Sequence, residues 1–354
     1  MELFKTYWSD TLAGSGNQNW FAPDDSEMPI TGRVYYKLFA GGEHNYRLLF
    51  SNIIDSTYSD GSHSRANTVC GTWELLGARC GICKSLAEEP AFLTLTFEGK
   101  ESLTVLPGMF FGADPVLLKA EAGEYLCLEI TFCGKMIPYM EEAIIPIFRL
   151  QDGAWVKDKR VPLACMVGSD RPVEKRVAFW GDSITEGIGV EEDSYAHWNA
   201  RIAEKVGKKY GYWNIGIGFG RAADAASCGA WFYKARQADL VNVCFGVNDI
   251  LQGYSACEIK KNLRTIVTQL KKAGCRVGLF TVPPFDYAGE HLTIWREVTR
   301  YIEEELAPLA DYLFDVRPDW GQDAPMEHMA RYGGHPDAEG CEALAERFVK
   351  TVEL

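Results

Sequence analysis

From about residue 173 the chain alternates short apolar runs with amphipathic stretches, and this alternation restricts its fold more than any other feature. KRVAFWG (175–181), YGYWNIGIG (210–218), ADLVNVCFG (238–246), RVGLFTV (276–282) and DYLFDV (311–316) read as strands. The third run is almost continuously apolar, as a strand buried on both faces must be. Residues 194–207, 255–273, 290–307 and 336–352 read as helices. In the second of these Ile259, Leu263, Ile266, Val267 and Leu270 recur at helical spacing. Gly274 follows in the place of a C-cap, and Pro283-Pro284 closes the fourth strand. Five βα repeats predict a parallel sheet between two layers of helices, with ligands held at the carboxyl ends of the strands.

Residues 1–172 follow another pattern. RVYYKLF (33–39), NYRLLFSN (45–52), AFLTLTFEG (91–99), ESLTVLPG (101–108) and EYLCLEITF (124–132) are rich in β-branched and aromatic residues, with strand-like alternation in LTLTF. Gly41-Gly42, Asp60-Gly61 and Pro107-Gly108 supply turns between them. The expected organisation is an all-β sandwich of jelly-roll type over 1–172, then a three-layer α/β/α domain of flavodoxin-like form over 173–354. A chain of 354 residues is long enough for both cores.

The net charge of −13 argues against nucleic acid or an anionic membrane as partner, because no basic surface would offset phosphate repulsion. No run is long and apolar enough to span a bilayer. The start, MELFKTYWSD, carries Glu2 and Lys5 where a secretion signal has an apolar core. Eleven cysteines, an odd number, are scattered from Cys70 to Cys341 without a compact framework. Together these features suggest a reducing, cytoplasmic setting. Cys80-Gly-Ile-Cys83, with Cys70 and His63, gives a zinc alternative, but a structural zinc site wants a second ligand pair at matched spacing. The expectation is free thiols, no metal and no cofactor.

Four short blocks fall where the parallel sheet would place chemistry. Gly181-Asp182-Ser183-Ile184-Thr185 follows the first strand. A serine there is exposed at the sheet edge beside the N–H groups of the next helix; the plainer alternative is an N-cap serine. Asn214-Ile-Gly216-Ile-Gly218-Phe-Gly220 follows the second, and its glycines serve a tight loop or turn backbone N–H groups toward a ligand. Gly246-Val247-Asn248-Asp249 follows the third, where the asparagine amide can donate to a developing oxyanion or form an Asx turn. His335-Pro336 opens the last helix, and a neutral histidine there serves as a base or as a cap.

In this order, each beside a strand end, the blocks resemble those of the SGNH (GDSL-type) hydrolases over about residues 174–352. The matching residues are Ser183 in WGDSITEG, a glycine of NIGIGFG, Asn248 in FGVND and His335 in GGHPDAEG. The resemblance implies that Ser183 attacks an ester carbonyl with His335 as base and then acid. The Ser183 N–H, a backbone N–H of the Gly218–Gly220 turn (Gly218 foremost) and the Asn248 amide would form the oxyanion hole. The chain departs from the family twice. Tyr332 stands three residues before His335, where the family usually has an aspartate that orients the imidazole. Asp323 or Glu327 is then the alternative orienting acid, or the pair works as a Ser-His dyad. Phe219 falls where the last glycine of the second block is expected.

FEGKESLTVLPGMFFGADPVLL in the first half is similar to the β module that precedes the catalytic domain in some SGNH esterases, including those acting on acetylated sugars. The implied activity is hydrolysis of a small O-ester, most simply an acetyl group on a sugar or oligosaccharide. Trp180, Tyr195, Trp198, Trp213, Phe219 and Phe285 lie near the blocks, either as sugar-stacking rings or as core. Two alternatives remain open: a carbohydrate-binding protein whose triad has decayed, and a lipase or thioesterase for longer acyl chains. If His335 is the base, activity rises with pH through one ionisation near neutrality.

Overall fold

The computed structural model describes residues 5–57, 64–321 and 334–354. They fall into two compact units, one comprising the described residues up to Asp55 with Asn67–Pro172, the other Ser56–Ala66 with Val173–Leu354. The short stretch Ser56–Ala66 thus leaves the β-rich half of the sequence and joins the second unit.

The first unit is all-β and its strand pairs are antiparallel. A seven-stranded sheet runs in the order Ala154–Lys157, Ile147–Gln151, Ile30–Lys37, Tyr125–Gly134, Trp73–Cys83, Leu93–Leu95, with Leu103–Val105 also paired to Trp73–Cys83. A five-stranded sheet is built on Gly42–Ser51, flanked by Met166–Ser169 and Phe110–Gly112. Aromatic side chains join the inner faces. The Trp73 ring stands edge-on to Phe111 at 6.1 Å, and Phe111 stacks on Phe50 at 5.0 Å. Cys80 and Cys83 lie on the strand Trp73–Cys83. Residues three apart on a strand point to opposite faces, so this pair cannot chelate one ion. Burial pushes the Cys80 thiol up to about 12 and the Cys83 thiol up to about 11, which keeps both protonated and inert. His63 and the expected Asp60-Gly61 turn lie outside the described residues.

The second unit holds five strands, β1 Lys175–Gly181, β2 Tyr210–Asn214, β3 Leu240–Cys244, β4 Arg276–Phe280 and β5 Tyr312–Phe314. All pair in parallel, in the order 2-1-3-4-5. Every residue of β3 is buried, Asn242 included, as expected of a run that is almost continuously apolar. The helices used below are α1 Ser183–Glu186, α2 Trp198–Val206, α3 Ala222–Ala226, α4 Val247–Leu251, α5 Ala256–Lys272, α6 Gly289–Tyr301 and α7 Ala338–Thr351. Right-handed crossovers put α2 on one face of the sheet and the helices after β2, β3 and β4 on the other. α7 then packs against α2. Ser255 and Glu258 form a capping box that starts α5 where the apolar repeat begins.

The helix expected over 290–307 is shorter. α6 ends at Tyr301, and the chain continues as a wide turn over Ile302–Leu306 and a 3-10 turn over Ala307–Leu309. Pro308 is the cause, since its ring clashes with the carbonyl one turn back and it has no N–H to donate. Among the described residues no helix is long and apolar enough to cross a membrane.

Candidate active site

β1 ends at Gly181, and Asp182 rather than Ser183 caps the helix that follows: its Oδ1 accepts the Ile184 N–H at 3.0 Å. This leaves Ser183 as the first residue of α1, with its hydroxyl free of capping. Its Oγ lies 2.8 Å from Nε2 of His335, 152 positions away in the sequence. His335 is not a cap either, because Asp337 holds that role for α7 by accepting the Gly340 N–H at 2.9 Å. Beside His335, the Phe285 ring stands edge-on at 5.7 Å. That ring occupies the space where a side chain on residue 334 would project, and Gly334 has φ +77°, so a glycine is needed there. Tyr332, Asp323 and Glu327 lie outside the described residues.

Asn248 sits in α4 and is buried; its Nδ2 donates to the Gly220 carbonyl at 3.1 Å across the sheet end. A second amide hydrogen remains on the same nitrogen. The loop after β2 is a tight turn, closed by Gly220 N–H donating to the Ile217 carbonyl at 3.1 Å. Here the structure corrects one expectation. The Gly218 N–H donates to Glu186 Oε2 at 2.6 Å, so it is committed to the protein's own carboxylate. The Phe219 N–H donates to no group among the described residues, and Phe219 takes φ +57°, the left-handed conformation that suits glycine. The Ser183 N–H, an orphan of the first helical turn, is likewise unused among the described residues. One serine–histidine pair and three donors thus gather at the ends of β1, β2 and β3.

Sequence reasoning missed the roles of Glu186 and Asp249. It placed Phe219 within the Gly218–Gly220 turn, as a departure from the glycine pattern and as an aromatic near the blocks, with Gly218 as the foremost donor. Asp249 is fully buried and accepts the Ala222 and Ala223 N–H groups at 2.8 and 3.2 Å, which ties the start of α3 to α4. The aromatic expectation divides. Trp180, Trp198 and Trp213 are at most 1% exposed and Tyr195 is buried, so these four are core rather than stacking rings. Phe219 and Phe285 are only half-buried. Past the turn, Arg221 forks onto Asp224 at 3.0 and 3.1 Å and donates to Gln252 and the Tyr254 hydroxyl at 3.0 and 3.2 Å. Ser64 and Ser56 also donate to Asp224, at 2.6 and 3.4 Å.

The site carries buried acids. Burial, with the Asp249 charge adding to it, pushes the Asp182 carboxyl up from 3.8 to about 7, and burial raises Asp249 to about 6. The folded chain therefore holds the Asp182 proton to a higher pH than the unfolded chain does. Between about pH 4 and pH 7 the folded state binds more protons, so this group lowers stability as pH rises through that window. Asp182→Asn keeps an oxygen for the Ile184 cap and cannot ionise. It should melt with wild type near pH 4 and above it at pH 8, by roughly 2–4 °C for each kcal/mol recovered. Thermal melts at both pH values check this; an equal Tm at pH 8 would sink it.

Comparison with known proteins bears on residues 179–343, which match the model of the GDSL-like lipase/acylhydrolase family. Among solved structures, the acetyl xylan esterase AlAXEase is 22% identical, with 50% of this chain and 100% of that chain covered at a TM-score of 0.42. A member of the lipolytic protein G-D-S-L family from Veillonella parvula DSM 2008 is 19% identical, covering 50% of this chain and 97% of its own at a TM-score of 0.42. A mutant of Axe2, an acetyl-xylooligosaccharide esterase from a Geobacillus species, is 19% identical over 51% of this chain and 96% of its own, at a TM-score of 0.40. No curated protein matches the chain. The stretch that matches the GDSL-like lipase/acylhydrolase family model, residues 179–343, is the one that carries the serine, glycine and asparagine blocks and His335.

Proposed function

We propose that this chain is a serine esterase for a small O-ester, with an acetyl group on a sugar or oligosaccharide as its substrate class. The 2.8 Å approach of Ser183 Oγ to His335 Nε2 carries the reading. With the ring neutral and protonated at Nδ1, the Ser183 O–H donates to Nε2, and His335 takes that proton as Oγ attacks the acyl carbon. The oxyanion accepts from the Ser183 N–H, the Phe219 N–H and the Asn248 amide. On collapse His335 returns the proton to the leaving alcohol. Water, deprotonated by the same ring, then releases the acid and frees Ser183.

The polar cluster of Arg221, Gln252 and Tyr254 directly after the oxyanion turn supports a hydroxylated alcohol over an alkyl one. The half-buried Phe219 and Phe285 offer ring faces to a sugar. The test is chain-length preference on 4-nitrophenyl acetate, butyrate and octanoate, with release of acetate from a peracetylated sugar alongside. Highest kcat/KM on acetate, and acetate released from the sugar, is the expected result. Preference for octanoate would overturn the acyl assignment.

A further inference from the structure

We propose that the buried carboxylate of Glu186 is a positioning residue that clamps the oxyanion turn and keeps the Phe219 N–H presented as a donor. The catalytic consequence rests on the esterase reading above, while the clamp itself does not.

Glu186 is the last residue of α1 and is fully buried. Two of its atoms hold the loop that follows β2. Its carbonyl accepts Asn214 Nδ2 at 3.1 Å where the strand ends, and its Oε2 accepts the Gly218 N–H at 2.6 Å where the turn begins. The second bond has the length of a charge-assisted contact. Between them, Asn214 Oδ1 takes the Gly216 N–H at 2.9 Å. A side chain on Gly216 would overlap the main chain of Thr185 and Glu186, so loop and helix lie in direct backbone contact.

The turn has two tethers. Glu186 holds the nitrogen of Gly218 at its start, and Asn248 Nδ2 holds the carbonyl of Gly220 at its end. Phe219 lies between them at φ +57°. A turn with that φ at its second central residue ordinarily has glycine there, because a side chain is strained in the left-handed region. Such strain persists only where the surroundings over-determine the backbone. Releasing either tether lets Phe219 move to negative φ, which rotates its N–H away from where an oxyanion would lie. Glycine at 219 has no such drive to relax.

The experiment uses the full chain, labelled with 15N-glycine, together with Glu186→Ala, Glu186→Gln and each change combined with Phe219→Gly. The Gly218 amide proton, bound to a carboxylate, is expected downfield in wild type and shifted upfield in E186A. On 4-nitrophenyl acetate E186A should lose about 100-fold in kcat, the size of one lost oxyanion donor. KM should change less than about threefold, since ground-state binding is not the target. In the Phe219→Gly background the same change should cost roughly tenfold less, because the strain that drives relaxation is gone. E186Q retains volume and a weaker acceptor, so it should fall between; it carries both readouts if E186A does not fold. An unmoved Gly218 resonance in the folded variants, a loss confined to KM, or an equal loss in the Phe219→Gly background overturns the proposal. If wild type does not hydrolyse the ester, the esterase reading fails and the Gly218 resonance alone decides the clamp.

Discussion

Ser183→Ala should lower kcat on 4-nitrophenyl acetate by about 10⁴- to 10⁶-fold while the protein stays folded. The expectation comes from the pair rather than from the serine alone. Oγ is poised 2.8 Å from His335 Nε2, and removing either member leaves no route for the proton. His335→Ala should therefore cost nearly as much, and the double variant should be no slower than the worse single one. Independent contributions would multiply; parts of one relay do not. The cost in stability should be small, since Ser183 is not the cap of α1 and its hydroxyl supports no backbone group. A fluorophosphonate probe should label wild type and leave S183A untouched. Multiplying losses in the double variant, or labelling that survives S183A, would end the assignment.

Asn248→Ala should lower kcat by about 10²- to 10³-fold with a much smaller change in KM, the signature of a donor that matters in the transition state. The same substitution cuts the bond from Nδ2 to the Gly220 carbonyl. Its effect thus includes release of the turn, and N248A combined with E186A should lose less than the product of the two single losses. Steady-state kinetics on the single and double variants decides this. A wild-type kcat in folded N248A would remove Asn248 from the oxyanion hole.

The strands and helices were legible because burial on both faces leaves an almost continuous apolar run, as at β3, and because apolar positions repeat every turn, as in α5. Ser183 and Asn248 were legible because each stands just past a strand end, and His335 because it opens the last helix. What pattern could not show is which hydrogen bonds are already spent. Gly218 and Phe219 differ by one position, yet only a structure shows that the Gly218 N–H belongs to Glu186. Likewise Trp180, Trp198 and Trp213 look the same in a string whether they face a ligand or a core. Pro308 shortened a helix whose apolar repeat runs past it. The membership of Ser56–Ala66 in the second unit left no local mark, because nothing in its composition differs from an ordinary connecting loop.

That last segment bears on how portable the hydrolase is. Asp224 takes its hydroxyl donors from Ser56 and Ser64, both encoded more than a hundred residues upstream of β1. Excising the chain at residue 173 would leave Asp224 with its Arg221 fork but strip both serines from a buried carboxylate just past the oxyanion loop. The compact unit that carries the Ser183–His335 pair is therefore discontinuous in the gene. Grafting it onto another partner would require carrying the upstream loop along, or replacing Asp224 and Arg221 together with an apolar pair of matched volume.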